Sequence, residues 1–253
     1  MDAVLRGLCW LFFIWTGCAG NGPRQQVAET HIDGRTHVYQ RCILDNCAEV
    51  KLTYPIVERE PSDPIVKALE EQMVLALGYG GERNTTVDEA VEDFLDSYED
   101  FRDSFPASAT DWEIEVVAEK VFESDKVLTV KLSSYAYTGG AHPNSFVNYF
   151  NFDLVEGGKL LSAPELLLDR EKMLALTEQK FREFHGISKD ADLRDDERFF
   201  IEEAGFFLPQ AIGYENDEWM MVYNPYEIGP YVMGYTELRF PLDEVKGVVK
   251  PPF

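Results

Sequence analysis

Apolar and polar residues alternate along THVYQRCI (36–43) and again along AEVKLTYPIV (48–57), and both runs are rich in β-formers. They predict a hairpin or two paired strands from about His37 to Val57. Pro55 near the end of the second run suggests an edge strand, because proline cannot donate to a ladder. The period then changes. Ser62-Asp63-Pro64 opens a helix in which Ile65, Leu69, Met73 and Ala76/Leu77 share one face, and Gly78 ends it. After a glycine-rich loop (79–84), Thr86 and Glu89 form a capping box for a second helix. Its apolar stripe is Val87, Val91, Phe94, Leu95, Tyr98 and Phe101. The remaining surface of that helix carries Asp88, Glu89, Glu92, Asp93, Asp96, Glu99, Asp100 and Asp103. The crowding reads as a solvated face, with a cationic partner or a divalent ion as the alternative.

Alternation returns over 111–122 and 126–137, on either side of a Glu-Ser-Asp turn, and predicts a long hairpin. Another strand is expected over 145–154, with Glu156-Gly157-Gly158-Lys159 turning into Leu160-Leu161. Ser162 and Glu165 make a second capping box. A longer helix runs from about Arg170 to His185, with Met173, Leu174, Thr177, Phe181 and Phe184 inward, and stops at Gly186. SKDADLRDDERFF is expected as a loop with a short helix. Strands follow at 205–214, 218–223 and 235–240, and a short helix at 242–248. Strand runs and helix runs are segregated, which predicts an α+β fold: an antiparallel sheet with helices packed on one face, one domain of two halves.

The N-terminus, MDAVLRGLCWLFFIWTGCAGNG, changes where this domain is placed. Arg6 is followed by an apolar stretch from Gly7 to Thr16, too short to span a bilayer, and then by Gly17-Cys18-Ala19-Gly20. Residues 1–17 read as a secretory signal. The ending resembles the bacterial lipobox, although Trp15 stands where that pattern prefers an aliphatic residue. The resemblance implies lipidation of Cys18 and an exported, lipid-anchored envelope protein, on the periplasmic or outer-membrane face. Residues 18–36 read as the tether and 37–250 as the domain, with halves of about 37–135 and 136–250. An oxidising compartment suits Cys42 and Cys47. The intervening Ile-Leu-Asp-Asn places them across a tight turn, and a disulfide is expected, a reactive pair being the alternative.

Composition narrows the partners. Acidic residues number 46 against 23 basic, a net charge of −23. Nucleic acid is excluded, since phosphate binding needs a basic face. A cationic protein would be attracted from a distance, and solubility alone is the simpler use of the charge.

No catalytic, cofactor or metal signature is present: HExxH, GxSxG, a phosphate loop and a dinucleotide fingerprint are all missing. The four histidines are scattered. DADLRDDE lacks the glycine and the twelfth-position glutamate of an EF-hand loop, leaving at most a weak surface calcium site. YTGGAHPN (137–144) joins two expected strands. Gly139 and Gly140 suit a turn, and Pro143 blocks ladder extension. Exposed aromatic and polar groups on such a turn are also binding equipment.

Two segments carry a family resemblance. YAYTGGAHPNSFVNYFNFDLVEGGKLLS resembles the Y-x-GGAH…Y-x-NFD…G motif of the PdaC/RsiV-like bacterial envelope domains. MMVYNPYEIGPYVMGYTELRFPLDEV is similar to a second signature of that family, a tyrosine loop followed by a strand, and VKLTYPIV is similar to its first strand. The resemblance covers about 37–249. It implies a non-catalytic module that binds a protein such as a lysozyme, or peptidoglycan, with no cofactor. Neither a transmembrane signalling segment nor a deacetylase domain accompanies it here. Tyr137, Gly139, Gly140, His142, Asn144, Tyr223, Tyr226 and Tyr231 become the candidate contact residues. The alternative is an envelope glycan- or peptide-processing enzyme using His142 and nearby carboxylates. The tyrosines also have a simpler reading, in which their hydroxyls satisfy the backbone of an irregular loop.

Overall fold

The computed structural model describes residues 28–31, 36–55, 63–78 and 85–253, with the side chains of 28–31 excepted. The stretch read as an export signal, Cys18, most of the stretch read as a tether, Ser62 and residues 79–84 lie outside the described residues. The architecture is α+β. A seven-stranded sheet runs in the order β1-β2-β3-β4-β5-β6-β7. Its strands are β1 (Ala28–His31), β2 (Thr36–Ile43), β3 (Asn46–Thr53), β4 (Trp112–Glu123), β5 (Val127–Tyr137), β6 (Asn144–Asp153) and β7 (Lys159–Leu160). Strand β1 falls within the stretch read as tether.

Two helices, α1 (Pro64–Leu77) and α2 (Val87–Ser104), connect β3 to β4. Asp63 accepts a hydrogen bond from the Ile65 amide at 2.8 Å, with Pro64 beginning α1. The expected capping box starts α2: Thr86 accepts from the Glu89 amide, and Glu89 accepts from the Thr86 amide, both at 3.2 Å. Ile65, Leu69, Met73 and Leu77 of α1 and Val91, Phe94, Leu95 and Tyr98 of α2 meet Ala48, Val50, Leu52, Trp112, Ile114 and Val116 in one core. Because this crossover returns the chain to the same end of the sheet, β3 and β4 pair in parallel. The sheet is therefore mixed, not wholly antiparallel. It also gives β3 a neighbour on each side, so Pro55 lies beyond the strand end and marks no edge.

Arg41 explains part of the acidic face of α2. It sits on the helix side of β2, opposite Ala48, and is 6% exposed. Its guanidinium reaches Asp96 at 2.5 Å, Glu92 at 2.8 Å and Glu99 at 3.5 Å. Three of the carboxylates expected to be merely solvated thus tie α2 to the sheet. On the opposite sheet face, Cys42 and Cys47 face each other across the β2–β3 hairpin and form the expected disulfide.

A second, three-stranded antiparallel sheet has the order β10-β9-β8, from β8 (Ala211–Glu215), β9 (Glu218–Tyr223) and β10 (Thr236–Pro241). Two helices precede it, α3 (Ala163–Leu166) and α4 (Arg170–His185). Helix α4 ends at Gly186 in the left-handed region, φ 66°. Met173, Phe181, Tyr214, Trp219, Tyr223, Leu238 and Phe240 centre this second core. The large sheet includes β5, β6 and β7, so the change from one sheet to the other falls after Leu160.

The two sheets meet where β8 crosses β6. A Cβ on Gly213 would lie 2.6 Å from the Tyr149 Cβ and 2.9 Å from Asn151 Oδ1, so only glycine permits the approach. Asn151 donates to the Ile212 carbonyl at 2.9 Å and accepts from Thr129 at 2.9 Å. Tyr149 donates to Glu215 at 2.6 Å, and burial together with that carboxylate raises its pKa. Asp153 accepts from the Val155 and Glu156 amides at 2.9 Å and from Lys250 at 2.7 Å.

Two expectations fail near the C-terminus. The strand expected from 205 begins at Ala211, because Pro209 interrupts the run and Phe206 turns to pack on Phe181 at 5.1 Å. The expected helix over 242–248 is a series of turns, with Gly247 at φ 75° and Lys250 donating to the Leu166 carbonyl at 2.8 Å.

Candidate functional site

The β5–β6 connection and the loop after β9 converge on His142. Gly139 adopts φ 86°, and a Cβ there would meet the Thr110 side chain at 2.8 Å. Gly140 does not use the left-handed region, so only the first glycine of the pair is required by the backbone. His142 Nδ1 lies 2.8 Å from the Pro143 carbonyl oxygen, which can only accept. Nδ1 therefore carries a proton, and in the neutral ring Nε2, at 3.0 Å, accepts from the Tyr226 hydroxyl. The imidazole stacks on Tyr231 at 3.8 Å between centroids and 13° between planes. Tyr226 completes the group, 5.8 Å from Tyr231.

A polar brace holds the second loop. Asn224 Oδ1 accepts from the Val147 amide at 2.7 Å, and its Nδ2 donates to the Val147 carbonyl at 3.0 Å, so the side chain imitates a neighbouring strand on β6. Glu227 accepts from the Asn224 amide at 2.8 Å and the Gln210 amide at 2.9 Å. Within this brace Tyr226 adopts φ 69° and stays 54% exposed. A non-glycine residue in that region is strained, and here the strain presents a ring to solvent. Tyr231 begins a short 3-10 helix, Tyr231–Met233.

Of the eight candidate contact residues, three thus form a cluster: His142, Tyr226 and Tyr231. Asn144 is exposed as the first residue of β6, opposite Ala136. Tyr137 ends β5 opposite Glu113 and makes no ring contact with the cluster among the described residues. Tyr223 is fully buried, which removes it as a contact residue. Its hydroxyl donates to the Phe207 carbonyl, and burial raises its pKa. For Tyr223 the simpler reading of the tyrosines is the right one.

Beside Tyr226 lies a groove of about 620 Å³, lined by Leu174, Phe200, Phe206, Phe207, Tyr226 and Glu227 among others. Phe200 is 47% exposed. Hydrophobic periodicity offers no reason to select this groove, or Asn224 and Glu227. Their only signal was polar residues flanking the Pro-Tyr of an irregular loop. Among the described residues, no group of three or more His, Cys, Asp or Glu side chains is arranged to hold a metal ion, and no helix is long and apolar enough to cross a membrane.

The family profile described as deacetylase PdaC matches residues 44–145, and that of a protein of unknown function, DUF3298, matches 169–243. Together the two matches make the chain PdaC/DUF3298-like over these two stretches. A DUF3298 family protein from Pseudomonas aeruginosa PAO1 has a similar crystal structure, with 20% identity, a TM-score of 0.65, and coverage of 90% of this chain and 95% of that one. A DUF3298 member from Bacteroides fragilis NCTC 9343 gives 17% identity and a TM-score of 0.63, over 90% of this chain and 92% of the other. At these identities the likeness establishes the fold. No curated protein matches the chain.

Proposed function

We propose that the domain is a non-catalytic recognition module of the bacterial cell envelope, anchored through lipid on Cys18, whose His142, Tyr226 and Tyr231 meet a cationic protein such as a lysozyme. The observation that carries this reading is the strained, exposed Tyr226, braced beside the His142–Tyr231 stack on a protein of net charge −23. Rigid aromatic rings give contact area at little entropic cost, and complementary charge speeds encounter. Both imidazole nitrogens of His142 already hold hydrogen bonds, which suits a positioning part better than a proton carrier.

Peptidoglycan is the second reading. The aromatic groove beside Tyr226 favours it, since ring-lined clefts of this size take small organic ligands. One experiment separates the two. The intact protein and its Tyr226→Ala and Tyr231→Ala variants are titrated with a lysozyme and, separately, with soluble peptidoglycan fragments. Loss of lysozyme affinity by about tenfold or more in either variant supports the first reading. A variant effect confined to the fragments supports the second. If both variants bind both ligands as the parent does, the cluster is not the recognition surface.

A further inference from the structure

The large sheet has two faces of opposite character. Helices α1 and α2 cover one. On the other, the register lines up side chains in rows across four or five strands. One row is Gln40, Glu49, Glu113 and Tyr137; the next is Val38, Lys51, Glu115, Tyr135 and Ser145; a third is Thr36, Thr53, Val117, Ser133 and Val147. The second sheet covers the part of this face around Tyr149, Val147 and Val121. Beyond it, no other described element covers the face: Lys51 is 39%, Glu115 33% and Tyr135 37% exposed, and Glu113 is exposed.

The charges on this face are not balanced. Glu49 and Glu113 are direct cross-strand neighbours, an arrangement that destabilises a sheet when both carry the same sign. The lysine within these two rows, Lys51, is bound to Glu115 at 2.6 Å. Glu113 stands next to Tyr137 in its row, Tyr135 stands beside Glu115 in the next, and Tyr137 leads into the β5–β6 loop that carries His142.

We propose that this open sheet face is the docking surface for a cationic protein, whose lysine and arginine side chains insert between Glu49, Glu113, Tyr135 and Tyr137. The face carries Glu49, Glu113 and Glu115 against Lys51, a charge balance complementary to a cationic partner. An incoming ammonium or guanidinium relieves the Glu49–Glu113 repulsion and lies against tyrosine rings. The inference deepens the proposed function and rests on its protein-binding reading. It extends the footprint from the aromatic cluster across the sheet.

The test compares two charge reversals of equal size in the intact protein. Glu49→Lys with Glu113→Lys alters the open face. Asp100→Lys with Asp103→Lys alters α2, on the far side of the sheet. Glu49→Gln with Glu113→Gln serves as a milder form should the first reversal fold poorly. The probes are a lysozyme and an oligolysine peptide, with amide shifts mapped by NMR. The proposal predicts shifts along β3, β4 and β5 with either probe. It also predicts an affinity loss of about tenfold or more for the face reversal and little for the α2 reversal. Equal losses from both reversals would reduce the effect to net charge and overturn it. Lysozyme binding that depends on Tyr226 but ignores the face variants would overturn the inference and leave the proposed function standing. Oligolysine docking on the face without any lysozyme binding would do the reverse. Absence of shifts on the face with both probes would overturn the inference.

Discussion

The Tyr226 hydroxyl donates to His142 Nε2 across 84 residues of sequence, at 3.0 Å. This bond joins the two loops whose motifs carry the family resemblance, and Tyr226 makes it from a left-handed backbone. Replacing Tyr226 by glycine removes the strain, about 1 kcal/mol for a residue with a Cβ, along with the ring. Thermal unfolding of Tyr226→Gly is expected to stay close to the parent, while lysozyme affinity falls. A large loss of stability would make Tyr226 a packing residue.

Gly213 tests how the sheets are joined. A methyl group there would collide with Tyr149 and Asn151. Gly213→Ala is expected to destabilise by about 2–3 kcal/mol, the usual cost of forcing extra volume into a packed contact. Urea unfolding measures this. An unchanged midpoint would mean that β8 can slide along β6.

The Arg41 clamp joins α2 to β2. Arg41→Ala leaves Glu92, Asp96 and Glu99 facing one another without their cation. Because the three carboxylates are 42–62% exposed, solvent moderates the cost. A loss of about 2 kcal/mol is expected, partly recovered by added salt. If salt fails to restore stability, the lost packing of the arginine stem is the larger effect.

Acid should weaken the link between Asp153 and Lys250. The hydrogen bond from Lys250, chiefly, holds the Asp153 pKa below its ordinary value, with help from the Glu156 and Val155 amides. A carboxylate depressed in the folded state contributes stability that is present above its unfolded pKa, about 3.9. That contribution declines as pH falls below this value and is gone once pH passes the lower folded pKa. Asp153→Asn should therefore be less stable than the parent at neutral pH, and the difference should shrink below about pH 4. Urea midpoints at several pH values check the sign. A difference that grows on acidification would refute the assignment.

Much of this fold was legible because local signals were strong. Thr86 with Glu89, Asp63 with Pro64, and Gly186 fixed helix ends to within a residue, since capping is decided by neighbouring atoms. The parallel β3–β4 pair was less visible. Two helices between those strands imply a crossover, but the strand pattern is the same for either direction. The site was partly legible. His142 and Tyr231 stand in recognisable loops, whereas Arg41 reaching α2, or Asn224 imitating a strand beside Val147, depends on contacts far apart in sequence. Tyr223 looked like its loop neighbours Tyr226 and Tyr231. It lies at the end of β9, and the inward side of that strand put it in the core.

The most direct measurement is a calorimetric titration of the intact protein with a lysozyme at low and at physiological salt. Saturable binding with one-to-one stoichiometry is expected, weakening with salt yet persisting at the physiological level, because aromatic contacts supplement the charge. Heat that disappears at physiological salt, or is absent at both, would contradict a protein-binding role and leave the net charge of −23 as a matter of solubility.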